Sequence, residues 1–343
     1  MIYKNFEIHN VAELIENADG SVSWKRVPSS VHETMEGAQA EKVVYFATGV
    51  ELRFVLRGEK AVIRMSSGGS EKSFHTFHVF RGGIQGGWAD HEVHRHVTNE
   101  IQEFEILRSK NIPHLKEISE KMGTDWDPEV IRIIFDRGTY NIYEIIGDVV
   151  PPTPEQKPKK TLLCYGSSIT HGSNSIDQSH SWPAILGYNL NMDVRNLGMA
   201  GSCAIEPAMV EYLASEGEKG AWDAATLELG INVLSWGEEK ITRRVENILR
   251  QVAGRNPDKP IFVISPFYHC GDDYDPDQRA KKWRRMIEEI VQRLAFPNVT
   301  YINGFDILDH PRYMSADEVH PNIYGVQRIA DLLTTRLQPI LNP

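Results

Sequence analysis

The chain has 343 residues, of which 41% are hydrophobic and 24% charged, a composition typical of a soluble globular protein with one large domain or two smaller ones. A formal net charge of −10 argues against a nucleic-acid partner. The largest basic cluster, residues 279–285, falls at helical spacing among apolar side chains and is better explained as a solvated helix face. No stretch approaches the roughly 18 apolar residues of a membrane span, so no membrane partner is expected.

Cysteine usage and the first residues bear on the cellular compartment. The three cysteines, Cys164, Cys203 and Cys270, are far apart and odd in number, which excludes a disulfide framework and a paired-cysteine metal site. The first residues lack the long apolar core of a signal peptide. We therefore expect a cytoplasmic protein, and we assign it no cofactor.

Residues 1–150 are predicted to be rich in β-strands. Residues 50–56 and 61–65 alternate apolar and polar side chains around a turn at Gly58, a pattern that predicts a hairpin. One helix is predicted, at residues 112–122. Short strands with frequent turn residues favour a β-sandwich or jelly-roll-like accessory domain. Further strands are predicted at 74–80, 100–106, 131–135 and 141–146.

Residues 151–160 are rich in proline and lysine, and we interpret them as a linker. Beyond them, residues 161–343 alternate strands with helices, which predicts βαβ units and a parallel sheet covered on both faces. The predicted strands are 161–165, 194–197, 225–229, 261–265 and 299–302. The predicted helices are 182–190, 205–214, 239–253, 277–294 and 324–337.

Small and polar residues follow the ends of three of these strands, and a further polar group precedes the last helix. In a parallel sheet the residues beyond the carboxyl ends of the strands meet at one edge, where ligands bind. The four groups are Gly166-Ser167-Ser168, Asn196 to Gly201, Gly230-Ile231-Asn232, and Asp317 to Asn322.

These groups contain the parts that nucleophilic acyl transfer needs. Ser168 can act as the nucleophile and His320 as its base, while Asp317, three residues earlier, can orient the imidazole. The backbone N–H of Gly201, at a position where a Cβ would crowd the substrate, and the side-chain N–H of Asn232 can bind an oxyanion. Each element is weak alone, but together, in this order, they predict a serine hydrolase.

The C-terminal half resembles the SGNH (GDSL-type) hydrolase family, whose four sequence blocks contribute Ser, Gly, Asn and His. The segment 181–186, with its Trp-Pro pair, is also similar to the family. The resemblance implies a flavodoxin-like α/β/α fold from about residue 160 to 343. It also implies a catalytic triad of Ser168, Asp317 and His320. The implied oxyanion hole consists of the N–H groups of Ser168 and Gly201 and the side chain of Asn232.

The sequence departs from the family pattern in two places. Ser167 stands where the usual Gly-Asp-Ser has an aspartate that orders the nucleophile loop, and Ile231 and Val233 flank Asn232 where Gly-Asn-Asp is commoner. The oxyanion donor itself is kept. A β-rich domain before an SGNH domain is similar to two-domain carbohydrate acetylesterases, which implies a small acylated carbohydrate as substrate.

Histidines outside these blocks offer weaker signals. His91, His94 and His96, beside Asp90 and Glu92, form a metal-like cluster, but scattered polar histidines on a β-edge are commoner and we assign no metal. A second pair, three residues apart, does not share a strand face and counts for less; it is His75 and His78.

Three side chains near the predicted site are candidate substrate contacts, and a fourth has a structural explanation. His171, His180 and Trp88 are candidates, the last as a stacking platform for a sugar ring. Trp182 is better explained by packing of the first helix against the sheet.

The main hypothesis is a serine esterase that hydrolyses short-chain, acetyl-type esters of carbohydrates through an acyl-serine. An acyltransferase and an esterase for non-carbohydrate short-chain esters are the alternatives. A carbohydrate-binding protein with a vestigial site is a third, which the complete residue set disfavours. Assembly into a homo-oligomer is left open.

Overall fold

A computed structural model describes residues 1–69, 75–88 and 91–341 of the chain. Two antiparallel β-sheets occupy the N-terminal half, and a parallel five-stranded sheet with flanking helices occupies the C-terminal half. The predicted α/β class with an N-terminal β-sandwich is confirmed. In the described ranges, no helix is long and apolar enough to cross a membrane.

The antiparallel half is a β-sandwich. One sheet has the strand order β1-β2-β5-β11-β7-β8, with β13 beside β5 and β9 beside β7, and the other has the order β10-β6-β12-β4-β3. Their facing surfaces share one core, to which Phe54 and Ile133 contribute from the first sheet and Ile63 and Ile142 from the second. The strands are β1 (Ile2–Tyr3), β2 (Phe6–His9), β3 (Glu13–Glu16), β4 (Val22–Lys25), β5 (Glu51–Leu56), β6 (Lys60–Ser67), β7 (Thr76–Arg81), β8 (Ile84–Gln85), β9 (Arg95–His96), β10 (Gln102–Leu107), β11 (Val130–Phe135), β12 (Tyr140–Ile146) and β13 (Val149–Val150).

The predicted hairpin between residues 50–56 and 61–65 is wrong. Both runs are strands, but β5 pairs with β2, β11 and β13 in one sheet, while β6 pairs with β10 and β12 in the other. The N–H groups of Arg57 and Gly58 bind the carbonyl of Asp148, and the chain crosses between the sheets here. Alternation marks one buried face on each strand but does not say which strand lies beside it.

Three helices of this half fall among the described residues: α1 (Ser29–His32), α2 (Ala40–Val43) and α3 (Ile112–Met122). The last matches the prediction, and the two short ones were not predicted. Val31 and Val43, on these short helices, pack into the core of the C-terminal half. The start of the predicted strand 74–80, at Phe74, lies outside the described residues.

The C-terminal half is a three-layer α/β/α sandwich with parallel strands in the order β15-β14-β16-β17-β18. The strands are β14 (Thr161–Gly166), β15 (Asp193–Gly198), β16 (Ala224–Glu228), β17 (Ile261–Ile264) and β18 (Val299–Ile302). The helices are α4 (Ser168–His171), α5 (Trp182–Leu190), α6 (Pro207–Glu218), α7 (Glu238–Ile248), α8 (Gly271–Tyr274), α9 (Arg279–Leu294), α10 (Gly304–Ile307) and α11 (Ile323–Leu341).

Alternate residues of the central strand β14 enter the two cores of this sandwich. Leu163 and Tyr165 pack with α6, α7 and α9 on one face, whereas Leu162 and Cys164 pack with α5 and α11 on the other. Because both faces are covered, β14 is an almost continuous apolar run, as expected for a buried parallel strand.

A buried ionic network joins the outer face of the first antiparallel sheet to the parallel sheet. Arg53 on β5 makes two hydrogen bonds of 2.7 Å to Asp193, the first residue of β15. Glu51 accepts hydrogen bonds from both Arg53 and Arg132. Burial alone would raise the pKa of Asp193, but the adjacent Arg53 and His9 hold it well below its usual range.

The segment predicted as a linker, residues 151–160, is held against both halves. It contains a short 3₁₀ turn at Pro154–Gln156. Lys157 donates to Glu7 at 2.7 Å, and the ammonium of Lys160 donates to the carbonyl of Leu341 at 2.8 Å. The segment is thus fixed to its surroundings at both of these lysines.

Candidate active site

Ser168 opens helix α4 directly beyond the end of strand β14. Ser167 caps the helix, because its hydroxyl accepts a hydrogen bond from the N–H of Ile169 at 3.1 Å. A Cβ on Gly166 would come within 2.2 Å of the Thr170 hydroxyl oxygen, so only glycine fits this sharp turn from strand to helix. The Ser168 side chain therefore stands at the carboxyl edge of the sheet, 8% exposed.

Ser168, His320 and Asp317 form a hydrogen-bonded relay. Nε2 of His320 lies 2.8 Å from Oγ of Ser168, and its Nδ1 lies 2.8 Å from Oδ2 of Asp317. Burial alone would raise the pKa of Asp317, but hydrogen bonds to its carboxylate hold this pKa well below its usual range. The donors are the N–H groups of His320 and Val319, the His320 ring and the Ser315 hydroxyl. An ionised Asp317 favours a proton on Nδ1 and leaves Nε2 free to take one from Ser168.

The loop that carries the relay is closed locally. Met314 and Pro321 form an antiparallel bridge, and the N–H of Ser315 binds the carbonyl of His320 at 2.9 Å. Glu318 has a φ of 57°, in the left-handed region, and this residue lets the chain turn between Asp317 and His320. The spacing of three residues thus brings the carboxylate to the ring.

Three N–H donors that follow the ends of the neighbouring strands β14, β15 and β16 have no acceptor among the described residues: the N–H of Ser168, the N–H of Gly201 and the side-chain amide of Asn232. The amide oxygen of Asn232 accepts from the N–H of Cys203 at 3.1 Å, which orients its NH₂ group away from that turn. Gly201 has a φ of 65°, and a Cβ there would lie 3.1 Å from Cγ of Gln39. Backbone conformation and the nearby Gln39 side chain are thus enough to explain a glycine here, and crowding of a substrate stays a prediction.

Glu228, which sequence reasoning missed, supports the nucleophile turn from below. Its side chain is fully buried, and Oε2 accepts from the N–H of Ser167 at 2.7 Å, the hydroxyl of Ser167 at 2.6 Å and the hydroxyl of Thr170 at 3.1 Å. Burial raises the pKa of Glu228 to about 7, against the lowering effect of these donors. The available signal was a carboxylate at the end of an otherwise apolar strand.

Arg26, which sequence reasoning also missed, fixes the segment from Asn196 to Gly201. Its guanidinium is fully buried and donates to the carbonyls of Asn196 at 3.1 Å and Gly198 at 3.0 Å. Asn10 adds a hydrogen bond of 2.9 Å to the same Asn196 carbonyl. Residues of the antiparallel half therefore fix the turn that presents Gly201, and no local sequence pattern marks them.

The prediction that His171 contacts substrate is wrong. The imidazole is 2% exposed, with Nδ1 at 3.0 Å from the carbonyl of Gly198 and Nε2 at 2.9 Å from the hydroxyl of Thr48. Burial, together with the charges of Arg26 and Arg137, lowers its pKa to about 3. Its position at the end of α4 turns it inward, where it joins the two halves of the molecule.

The other candidates have different surroundings. Trp182 is fully buried in the core under α5, which confirms its packing role. His180 is exposed and lines a cavity of about 340 Å³ at the junction of the two halves, which none of the relay residues lines. Trp88 is 83% exposed and makes no described contact with the relay, so its role as a sugar platform stays a prediction.

A second cavity, of about 300 Å³, lies beside the relay loop. Ser315 and Glu318, which flank Asp317, form part of its wall. Two tyrosines and two carboxylates give this wall aromatic faces and hydrogen-bond acceptors; they are Tyr268, Tyr274, Asp273 and Glu318. The chain thus offers an aromatic and acidic pocket next to the relay.

Residues 159–338 match the GDSL-like lipase/acylhydrolase family. The chain belongs to this family. The match spans the whole α/β half, including the serine turn and the relay loop, so the chain is an esterase or acyltransferase of the GDSL type. A search of curated proteins found no match.

Solved structures share the two-part fold. The salicylyl-acyltransferase SsfX3 from a tetracycline biosynthetic pathway aligns with a TM-score of 0.76 at 15% identity, covering 98% of this chain and 94% of that one. A putative GDSL-like lipase from Bacteroides ovatus has a TM-score of 0.68 at 17% identity, covering 98% and 97%. A family two carbohydrate esterase from Cellvibrio japonicus has a TM-score of 0.65 at 14% identity, covering 98% and 96%. At these identities the likeness establishes the fold of this GDSL-type chain and not its substrate.

Proposed function

We propose that the protein is a serine esterase that removes short acyl groups, acetyl above all, from small acylated carbohydrates. The observation that carries the chemistry is the continuous relay from Oγ of Ser168 through His320 to Asp317, with both steps at 2.8 Å. Such spacing allows proton transfer without further movement of the side chains.

In the first step, Oγ of Ser168 attacks the ester carbonyl carbon while its proton passes to Nε2 of His320. The negative charge that develops on the carbonyl oxygen is bound by the N–H groups of Ser168 and Gly201 and the amide of Asn232. Collapse of this intermediate breaks the bond to the sugar oxygen, which takes the proton from Nε2 and leaves. The acyl group is now on Ser168.

In the second step, a water molecule loses a proton to Nε2 of His320 and attacks the acyl carbon. The tetrahedral intermediate collapses, Oγ of Ser168 recovers the proton, and the free acid leaves. Throughout, Asp317 accepts a hydrogen bond from Nδ1 and stabilises the imidazolium that forms transiently.

Two features support a carbohydrate as the alcohol. The cavity beside the relay presents aromatic side chains and carboxylates, which suit the apolar faces and hydroxyl groups of a sugar. The two-part fold is also shared with a family two carbohydrate esterase. The protein with the TM-score of 0.76, in contrast, is an acyltransferase, which favours a second candidate in which an alcohol replaces water in the second step.

The test is acetate release from a panel of acetylated xylo-, manno- and galacturono-oligosaccharides, with and without added acceptor alcohols. We expect turnover of at least one class, and a loss of about 10⁴-fold or more in Ser168→Ala, because the nucleophile is gone. Ser173→Ala, which alters a serine outside the relay, is the matched control. Full activity of Ser168→Ala would refute the mechanism, and acyl transfer to the added alcohol in preference to water would favour the second candidate.

A further inference from the structure

A second cluster of ligand-type side chains lies where the β-sandwich meets the α/β half. His78, His94 and Asp177 each offer one nitrogen or oxygen atom, and these atoms lie within 4.8 Å of one another. None of the three belongs to the Ser168 relay. Sequence analysis assigned no metal to the metal-like cluster His91, His94 and His96, and of these three only His94 belongs to the present set.

The two histidines are neighbours on one sheet face. Phe77 is fully buried in the sandwich core, so the next residue of β7, His78, projects from the opposite face of the sheet. In the antiparallel pairing of β7 with β9, Phe77 lies opposite Arg95. One step further along this register sets His94 opposite His78, and their rings are 4.4 Å apart between centroids.

The carboxylate comes from the loop that follows α4. Oδ1 of Asp177 accepts hydrogen bonds from the hydroxyl of Ser179 at 2.6 Å and from the N–H of His180 at 3.1 Å. These bonds fix the carboxylate and leave Oδ2 to face Nε2 of His78. Hydrogen bonds that orient a carboxylate in this way are typical of the outer shell of a metal site.

Within this cluster, His78 gives the main evidence for a bound ligand. The residue is 2% exposed, and neither ring nitrogen makes a hydrogen bond with any described residue. Nearly all buried polar side chains have such a partner, since desolvation without one costs free energy. The imidazole is therefore buried beside a carboxylate with both of its nitrogens unsatisfied.

The distance between His78 and Asp177 fits a pair of ligands that share one metal ion. Nε2 and Oδ2 are 3.4 Å apart, beyond the usual length of an N–H···O bond. Two ligands of one tetrahedral zinc ion, each at about 2.0–2.1 Å from the metal, are separated by roughly 3.3–3.4 Å. The separation of these two atoms therefore matches that of two ligands of one zinc ion.

We propose that His78, His94 and Asp177 bind a divalent transition-metal ion of the zinc class. Two imidazoles and one carboxylate are ligands that zinc prefers, and the exposed His94 leaves a side open for the ion to arrive and for water as a fourth ligand. The ion joins the β-sandwich to the loop after α4.

The loop that carries Asp177 also contacts the relay, so a bound ion can affect the relay. Asn174, three residues before Asp177, donates hydrogen bonds to Oδ2 of Asp317 at 3.0 Å and to the hydroxyl of Ser315 at 2.9 Å. Gln178 donates to the carbonyl of His171 at 3.1 Å. Metal binding therefore stabilises the loop that positions Asp317, so the three ligands are positioning residues and not catalytic ones.

The test is titration of the chelator-treated full chain with Zn²⁺, followed by calorimetry and by thermal unfolding, and with Co²⁺, followed by its visible absorption. We expect one ion per chain, a visible spectrum of tetrahedral cobalt, and a Tm that rises with the Zn²⁺ concentration. His94→Gln, at an exposed position, should bind at least tenfold more weakly and lose the Tm response. Asp177→Asn should do the same.

His96→Gln is the matched control, because His96 is an exposed histidine two residues from His94 and outside the cluster. Its affinity for Zn²⁺ should equal that of the wild type. The proposal is overturned if the wild type binds no stoichiometric ion, or if His94→Gln binds as tightly as the wild type. These binding readouts are independent of ester hydrolysis and remain valid if the proposed function fails.

Discussion

On one side of Ser168 lies the relay loop, which carries Asp317 and His320. The residues of this loop that contact each other are close in sequence and exposed to water. Asp317 and His320 are three positions apart, and their side chains are 45% and 24% exposed. On the other side lie the buried residues that support the nucleophile turn, Glu228 and Arg26. They are far in sequence from the residues that they bind. Glu228 is 61 positions from Ser167, and Arg26 is 170 positions from Asn196.

This difference separates the residues that move protons from those that hold the geometry. The loop with Asp317 and His320 must exchange protons with substrate and water, so it lies at the surface and adds little to the core. The support has to keep the oxyanion donors in place, and buried hydrogen bonds do this because few alternative arrangements satisfy them. Substitutions in the relay loop should therefore change activity, and substitutions among the buried supporting residues should change stability.

The largest effect tests the exposed side. In Asp317→Asn the amide no longer stabilises the imidazolium and favours the wrong tautomer of His320, so we expect kcat to fall by about 10⁴-fold. The Tm should change little, because the side chain is 45% exposed. Ester hydrolysis and thermal unfolding are measured on the same preparation.

The control for this variant is Asp309→Asn, which alters a carboxylate of similar exposure (46%) that pairs with Arg328 outside the relay. It should keep wild-type kcat. A value of kcat for Asp317→Asn within tenfold of the wild type would show that the carboxylate is dispensable and that Ser168 and His320 suffice for catalysis.

The same division decides how much of the site could be predicted from sequence. The relay was predictable because Asp317 and His320 are close in the chain, and the strand ends placed Ser168, Gly201 and Asn232 at one edge of the sheet. The roles of these residues in catalysis stay predictions until tested. In the structure, His320 lies within 2.8 Å of both Oγ of Ser168 and Oδ2 of Asp317.

The support was not predictable, because its contacts depend on the relative placement of two sheets. Nothing in the sequence around Arg26 indicates that its guanidinium reaches the carbonyls of β15. The alternating strands β5 and β6 were recognised, but their partners were not, for the same reason. Contact of His171 with substrate was expected because His171 lies three residues after Ser168, yet the turn of α4 directs its ring away from the surface.

The next effect tests the buried junction. Asp193→Asn leaves the guanidinium of Arg53 without its bidentate partner, and we expect the free energy of unfolding to fall by about 3–5 kcal/mol. Glu105→Gln, which breaks the exposed pair with Lys60, is the control and should cost less than about 1 kcal/mol. Denaturant unfolding measures both, and equal losses would contradict the contrast between buried and exposed charges.

The junction also has a pH dependence with a definite sign. The pKa of Asp193 is lowered in the folded state by Arg53 and His9, so its contribution to stability is present above the usual pKa of an aspartate and is lost as the pH falls. Acid should therefore destabilise the wild type more than Asp193→Asn.

The last prediction concerns Glu228, where the sign is reversed. Its pKa is raised from 4.5 to about 7 by burial, so between these values the unfolded chain releases a proton that the folded chain retains. Stability should fall as the pH rises across this window, by on the order of 3 kcal/mol for a shift of this size. In Glu228→Gln this part of the slope should be absent, since glutamine does not titrate and its amide oxygen can still accept from Ser167. Denaturant unfolding of both proteins at about pH 5 and about pH 8 measures the difference. If their slopes are parallel, Glu228 is ionised throughout, and the buried side of the site carries a fixed charge as the junction does.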